Sequence, residues 1–307
     1  MIDNSTNILD STAPLLLGSI LNWGFYGGLC VQTYYYYFAF PKDRRVLKAL
    51  VYGLLLIETS QSVIIARDLF TTFVTGFGHV VELIETQFIW LSTPVMTGIV
   101  SSIVQIFFAH RIHVISGSKK AGTFIVLLAL MQGSSAIICG MQVHSADDSR
   151  KIYSKALAST TIWLIGSAVC DNVIAIFMVY FLSRRATGIK ATQTLVTKLT
   201  RLTIETGLLT ATIALIDATL FLALPTRNLH VAPALILGKL YSNTLVANLN
   251  SRPVIPSSHN DTFIDEILSC SSGNPHVDDI QRIQFPVINS SSRDEDTTVA
   301  ISIEREI

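Results

Sequence analysis

The chain has 307 residues, with 22 basic and 22 acidic side chains, zero formal net charge, 14% charged and 50% hydrophobic residues, and mean hydropathy +0.50. Soluble globular chains carry about 25% charged residues, and a neutral chain offers no basic field to hold nucleic acid by counterion release. Seventeen Gly, nine Pro and four Cys exclude collagenous, disordered and disulfide-framed classes, and apolar runs longer than 18 residues point to a membrane protein.

A hydrocarbon core of about 30 Å takes roughly 20 helical residues to cross. Residues 1–14 are expected as an extracellular N-terminal segment, in which Asn4-Ser5-Thr6 is an N-glycosylation acceptor. Apolar runs over 15–40, 46–66, 87–109, 121–143, 157–182, 202–224 and 231–249 are too long for barrel strands of about 10 residues, so they predict seven helices. The first is not a cleavable leader, because no basic residue precedes it. At its end Tyr34, Tyr35, Tyr36 and Tyr37, with Phe38 and Phe40, read as a belt at the headgroup layer. Pro94 and Pro233 are expected to kink or break the third and seventh helices.

Basic residues set the predicted orientation. The loops after helices one, three and five carry twelve Lys or Arg against five on the opposite side, so the N-terminus is expected outside and the C-terminus in the cytosol. Residues 250–307 have thirteen Ser or Thr, ten acidic and four basic side chains and no helical or alternating period. Such composition buries too little apolar surface to fold alone. The expectation is a disordered cytosolic tail, open to phosphorylation and able to engage a cytosolic partner.

An ionisable side chain at membrane depth costs about 2.5–3.5 kcal/mol on insertion scales, so each one needs an explanation. Glu58, Asp171, Glu205, Asp217 and Lys239 qualify. Counted at 1.5 Å per residue, Glu58, Asp217 and Lys239 share a level roughly 10–12 Å from the outer end, Asp171 lies about 21 Å down, and Glu205 lies near the inner surface. A short loop joins helices six and seven, which favours a Lys239–Asp217 pair with Glu58 as competing partner. Either the charges form a neutralised packing network, or they line an outward polar pocket or ion path.

Catalytic signatures are missing: there is no glycine-rich phosphate cradle, HExxH or GxSxG. His110 and His113 flank Arg111 at a helix end and read as an interfacial face rather than a metal site. His79, His144 and His230 lie in or beside the outer loops, where a loop-built metal site stays open. Cys30, Cys139 and Cys170 fall inside spans and Cys270 in the tail, leaving no outer-loop disulfide framework. Lys239 lacks the helix-three and helix-seven acids that would neutralise a retinal Schiff base. The acidic–Arg–aromatic triplet and Asn-Pro-x-x-Tyr of large seven-helix receptor families are also missing.

Several stretches carry a resemblance over residues 15 to about 252. They are Asn22-Trp23-Gly24 with Gln32, the Tyr run before Phe40-Pro41-Lys42-Asp43, and Gln105-Ile106-Phe107-Phe108-Ala109-His110-Arg111-Ile112. They continue with Gly166-Ser167-Ala168-Val169-Cys170-Asp171, Leu202-Thr203-Ile204-Glu205-Thr206-Gly207, Pro233-Ala234-Leu235, Lys239-Leu240-Tyr241-Ser242-Asn243 and Leu249-Asn250-Ser251-Arg252. Together they resemble a family of fungal, mostly basidiomycete, seven-helix membrane proteins whose C-terminal half is the domain of unknown function 6534. The resemblance implies a shared role for Asp171, Glu205 and Lys239 and supplies no activity.

The expected architecture is all-α: a seven-transmembrane-helix bundle over 15–249 with a disordered C-terminal tail over 250–307. The expected function is receptor-like or sensory, with an outward pocket at Glu58, Asp171, Asp217 and Lys239. A small-solute or ion transporter or channel using the same carboxylates is the alternative. No cofactor and no enzymatic activity are expected. The expected partners are the lipid bilayer, a small ligand or solute and a cytosolic protein, in the plasma membrane.

Overall fold

The computed structural model describes residues 2–75, 88–145, 149–184, 190–224 and 228–252. Beyond position 252 the predicted tail lies outside the described residues, as does His79. Among the described residues all regular structure is helical: α1 (Ile2–Ala39), α2 (Arg45–Phe70), α3 (Thr97–Ser116), α4 (Lys119–His144), α5 (Ser149–Arg184), α6 (Lys190–Ala223) and α7 (Val231–Asn250). A π-helical turn at Thr71–Thr75 extends α2, another at Leu91–Met96 leads into α3, and a 3-10 turn at Asn228–His230 leads into α7.

Among the described residues, six helical stretches are long and apolar enough to cross a membrane: Thr12–Ala39, Arg45–Val74, Leu91–Ser116, Lys119–His144, Ala156–Phe181 and Arg201–Ala223. Their outward faces are apolar, with Leu56 69%, Leu127 62% and Ile176 62% exposed. Polar residues such as Glu58, Gln105, Asp171 and Lys239 are inside. Charge inside and hydrocarbon outside is the arrangement a lipid solvent demands. The chain is a multi-pass membrane protein. The seventh helix exists where it was expected, but Lys239, Ser242, Asn243, Asn248 and Asn250 lower its hydropathy, and it is the helix the others enclose. Its most extensive pairing is with α1, and it also packs on α2, α3 and α6.

Helix ends follow local chemistry. Gly117, at φ +67°, takes the left-handed position after α3, and its N–H closes on the His113 carbonyl at 2.9 Å. The chain then turns directly into α4, as glycine at this position allows. Small residues bring α3 and α4 together: a Cβ on Gly98 would meet Ala136, and one on Gly133 would meet Ser102. This is the packing expected where helices associate without a hydrophobic driving force.

Helix α1 starts at Ile2 and passes through Pro14, so residues 2–14, Asn4 included, are helical and continuous with the first span. Two expectations need correction. Pro233 sits in the first turn of α7, where its missing N–H has no intrahelical acceptor to lose, so it neither kinks nor breaks the helix. Pro94 does break the α-helical pattern, because it lies inside the π turn before α3. Of the tyrosine run, Tyr34, Tyr35 and Tyr37 are exposed as a belt would be, but Tyr36 is fully buried.

Candidate functional site

Helix α7 is the axis of the site. Lys239 and Tyr241 are two residues apart, hence about 200° around the helix, and they enter different polar networks. Lys239 faces α2. Its three ammonium protons go to the Glu58 carboxylate Oε2, to the Glu58 carbonyl oxygen at 3.0 Å and to Gln61 Oε1 at 2.9 Å, which satisfies an ammonium completely. Ser242 Oγ donates to Glu58 Oε1 at 2.6 Å, and Gln61 Nε2 donates to the Ser92 carbonyl at 2.6 Å and to Thr97 Oγ1 at 3.2 Å. On the α1 side Ser62 Oγ reaches Asn22 Oδ1 at 3.1 Å, and Asn22 Nδ2 donates to the Leu235 carbonyl at 2.7 Å. Gly238 lies against Thr97, Gln61 and Glu58, so the absence of a side chain lets α7 approach them. The Lys239 and Glu58 side chains are both 0% exposed.

This corrects two expectations. The partner of Lys239 is Glu58, not Asp217. The pair is also sealed in packing rather than lining an outward pocket. Asp217, on α6, is 1% exposed, and among the described residues neither carboxyl oxygen has a hydrogen-bond partner. Equal depth put Glu58 and Asp217 at the same level, but the rotation of α7 turns Lys239 toward α2.

Tyr241 faces the other way, toward α5. Its hydroxyl donates to Asp171 Oδ2 at 2.6 Å and lies 2.6 Å from Ser167 Oγ. Thr210 Oγ1 on α6 donates to the same Oδ2 at 2.7 Å, and Gln105 Nε2 on α3 donates to Oδ1 at 2.9 Å. Gln132 on α4 completes the chain, with Nε2 3.2 Å from Gln105 Oε1 and 3.1 Å from Ser101 Oγ. Four helices thus meet at one carboxylate, with α4 joined to it through Gln105, and the carboxylate has three neutral donors and, among the described residues, no cation. Beside it is a small cavity of about 20 Å³, lined by Asp171, Gln105, Thr206, Thr210, Tyr241 and Thr244 among others.

The end of the bundle near Gly117 carries further polar ties. Arg111 Nη1 donates to Asn248 Oδ1, whose Nδ2 donates to Thr203 Oγ1 at 3.0 Å, linking α3, α7 and α6. Asp43, between α1 and α2, accepts from Arg252 Nη2 at 2.6 Å and from Tyr36 Oη at 2.6 Å, and the Arg252 guanidinium stacks 4.5 Å above Phe40. Burial alone would raise the Asp43 carboxyl, but the hydrogen bonds from Arg252 and Tyr36 and the Arg252 charge bring it below its ordinary value. Glu205 is exposed and bridges Arg201 at 2.7 Å one turn earlier, so it belongs to neither buried network. No group of three or more His, Cys, Asp or Glu able to hold a metal occurs among the described residues.

Glu58, Lys239, Asp171 and Asp217 stand out in the sequence because they are charged. Gln61, Gln105, Gln132 and Tyr241 carry no charge and do not. The available signal was amide-bearing residues in the middle of otherwise uncharged spans.

No curated protein and no solved structure matches the chain. A family model described as a family of unknown function, DUF6534, matches residues 167–254, a stretch that holds Asp171, Glu205, Asp217, Lys239 and Arg252. Over that stretch, from Ser167 in α5 through α6 and α7, the chain is similar to this family, which supplies most of the α7 side of both networks.

Proposed function

We propose that the protein is a receptor-like, sensory membrane protein with seven spans, its N-terminus outside, in the plasma membrane, and without enzymatic activity. One observation carries this reading: α7 is held on opposite faces by two separate polar networks. A shift of α7 cannot relax one without re-forming the other, which favours two discrete packings over a continuum. A ligand or partner that prefers one packing shifts the population toward it. The predicted cytosolic loops are basic, and in the proposed orientation the Arg111–Asn248–Thr203 link lies at that end, where a partner would read the shift. The sealed Lys239–Glu58 pair then serves as a hinge in packing, and the ligand acts elsewhere on the bundle.

A transporter is the second reading, favoured by Asp217, a buried acid with no partner among the described residues, which is the kind of group solute and proton paths use. Reconstitution into proteoliposomes separates the two. The receptor reading expects no flux against a panel of solutes and proton gradients, and a ligand that raises the melting temperature. Uptake abolished by Asp217→Asn or Asp171→Asn overturns it. Span number is tested by cysteine accessibility on either side of α7.

A further inference from the structure

The geometry points to a binding site for one small monovalent cation, of sodium size, on the Oδ2 side of Asp171. This inference does not depend on the receptor-like reading.

Lys239 and Glu58 neutralise one another, and Asp217, whose oxygens have no donor among the described residues, has nothing to hold it ionised; Asp171 differs from both. Asp171 is 5% exposed, and its recorded partners are Gln105, Thr210 and Tyr241, all neutral. Three donated hydrogen bonds suit an ionised carboxylate, yet an ion at this depth calls for a counter-charge.

The surrounding donors can change roles. Thr210 Oγ1 has one proton and two acceptors in range, Asp171 Oδ2 at 2.7 Å and the Gly207 carbonyl at 3.1 Å. Turned toward Gly207, the hydroxyl leaves its lone pairs facing Oδ2. Tyr241 likewise has Ser167 Oγ at 2.6 Å as an alternative to Asp171. Both groups on Oδ2 therefore convert from hydrogen-bond donors to oxygen ligands by hydroxyl rotation alone. Gln105 remains on Oδ1 and keeps the carboxylate oriented.

Size and donor chemistry select the occupant. At about 20 Å³ the cavity exceeds the roughly 10–15 Å³ that one water requires and is too small for an organic solute. The ligand set is one carboxylate with neutral hydroxyl oxygens, which suits a hard cation. The shortage of His, Cys, Asp and Glu around it argues against a divalent or transition metal. A monovalent cation balances the single charge of Asp171 exactly once, with none left over.

The test uses the full chain in lipid nanodiscs, melted in sodium chloride and in choline chloride at equal ionic strength. The expected result is a saturable rise of several degrees in sodium only. Asp171→Asn should abolish the rise, Thr210→Val should weaken it several-fold, and Asp217→Asn should keep it. An equal rise in choline chloride, or a sodium effect that persists in Asp171→Asn, overturns the proposal. If Asp171→Asn does not fold, equilibrium binding of radiolabelled sodium to the wild-type chain decides. One saturable ion per chain supports the site, and none overturns it. Infrared spectroscopy adds an independent check: a protonated-carboxyl band that persists in saturating sodium and disappears in Asp171→Asn also overturns it.

Discussion

Where α7 faces α1 and α2, the Lys239 ammonium has an acceptor for every proton and Glu58 has donors on both carboxylate oxygens. Where α7 faces α5 and α6, Asp171 has donors but, among the described residues, no cation, and two of those donors have a second acceptor within reach. One side is a closed circuit that admits no change without breaking. The other holds alternatives of similar geometry next to a small cavity. The comparison teaches that buried polarity in this bundle has two uses, a fixed frame and an adjustable centre, joined through a single helix.

The largest expected effect comes from breaking the frame. Lys239→Met leaves Glu58 charged and sealed in the core, and should cost about 3–5 kcal/mol, read as a loss of folded protein or a large drop in melting temperature. Adding Glu58→Gln should recover most of it. A double variant as damaged as the single one would show that the charge pair is not what holds α7.

Asp171→Ala probes the adjustable side and should cost less, about 1–3 kcal/mol. Thr210 and Tyr241 can turn to Gly207 and Ser167, so only the Gln105 amide is left without its acceptor. A loss as large as that of Lys239→Met would remove the distinction between the two networks. Thermal melts of both variants in the same detergent make the comparison.

Arg252→Ala tests the tie between the ends of α1 and α7. Its side chain is 29% exposed and that of Asp43 13%, so solvent screens the pair, and the expected loss is about 0.5–1.5 kcal/mol. The sign with pH is fixed by the lowered Asp43 carboxyl. Its contribution is complete above the ordinary carboxylate value of 3.8 and disappears as pH falls through the lower folded value. In Arg252→Ala that acid-side loss should flatten, which stability measured from neutral pH down to pH about 3 checks against the ordinary carboxylate range.

Asp217→Leu is the smallest. Because the carboxyl has no bond to lose, an apolar replacement of similar size should change stability by about 0.5 kcal/mol or raise it. A loss of several kcal/mol would place Asp217 in a network after all.

Much of the bundle was legible in the amino-acid sequence, because lipid imposes long apolar runs and makes each interrupting charge conspicuous. The helix positions and the burial of Glu58, Asp171, Asp217 and Lys239 follow from that rule. Partner choice did not follow. Depth along a helix can be counted at 1.5 Å per residue, but Lys239 pairs with Glu58 because of how α7 is rotated between its neighbours. Rotation is set by packing, with Gly238 against Thr97 and Gln61 and Asn243 against α1. Tyr36 makes the same point: four successive tyrosines look alike in sequence, and helical rotation alone turns one of them inward to Asp43. Neutral amides such as Gln105 and Gln132 carry no charge to betray them, so the centre around Asp171 appears only when five helices are brought together.

The π-helical turn at Leu91–Met96 acts as a phase shifter. A π turn accommodates one residue more than an α turn, and one residue is about 100° of rotation. Everything downstream on α3 is therefore set at an angle that an unbroken helix would miss. Thr97 meets Gln61 and Gln105 meets Asp171, contacts that belong to the two different networks. A single added residue thus tunes both sides at once, and removing one between 93 and 96 would turn Ser101 and Gln105 away from their partners while every residue of both networks was still present. The polar centre is encoded as much in residue count as in residue identity.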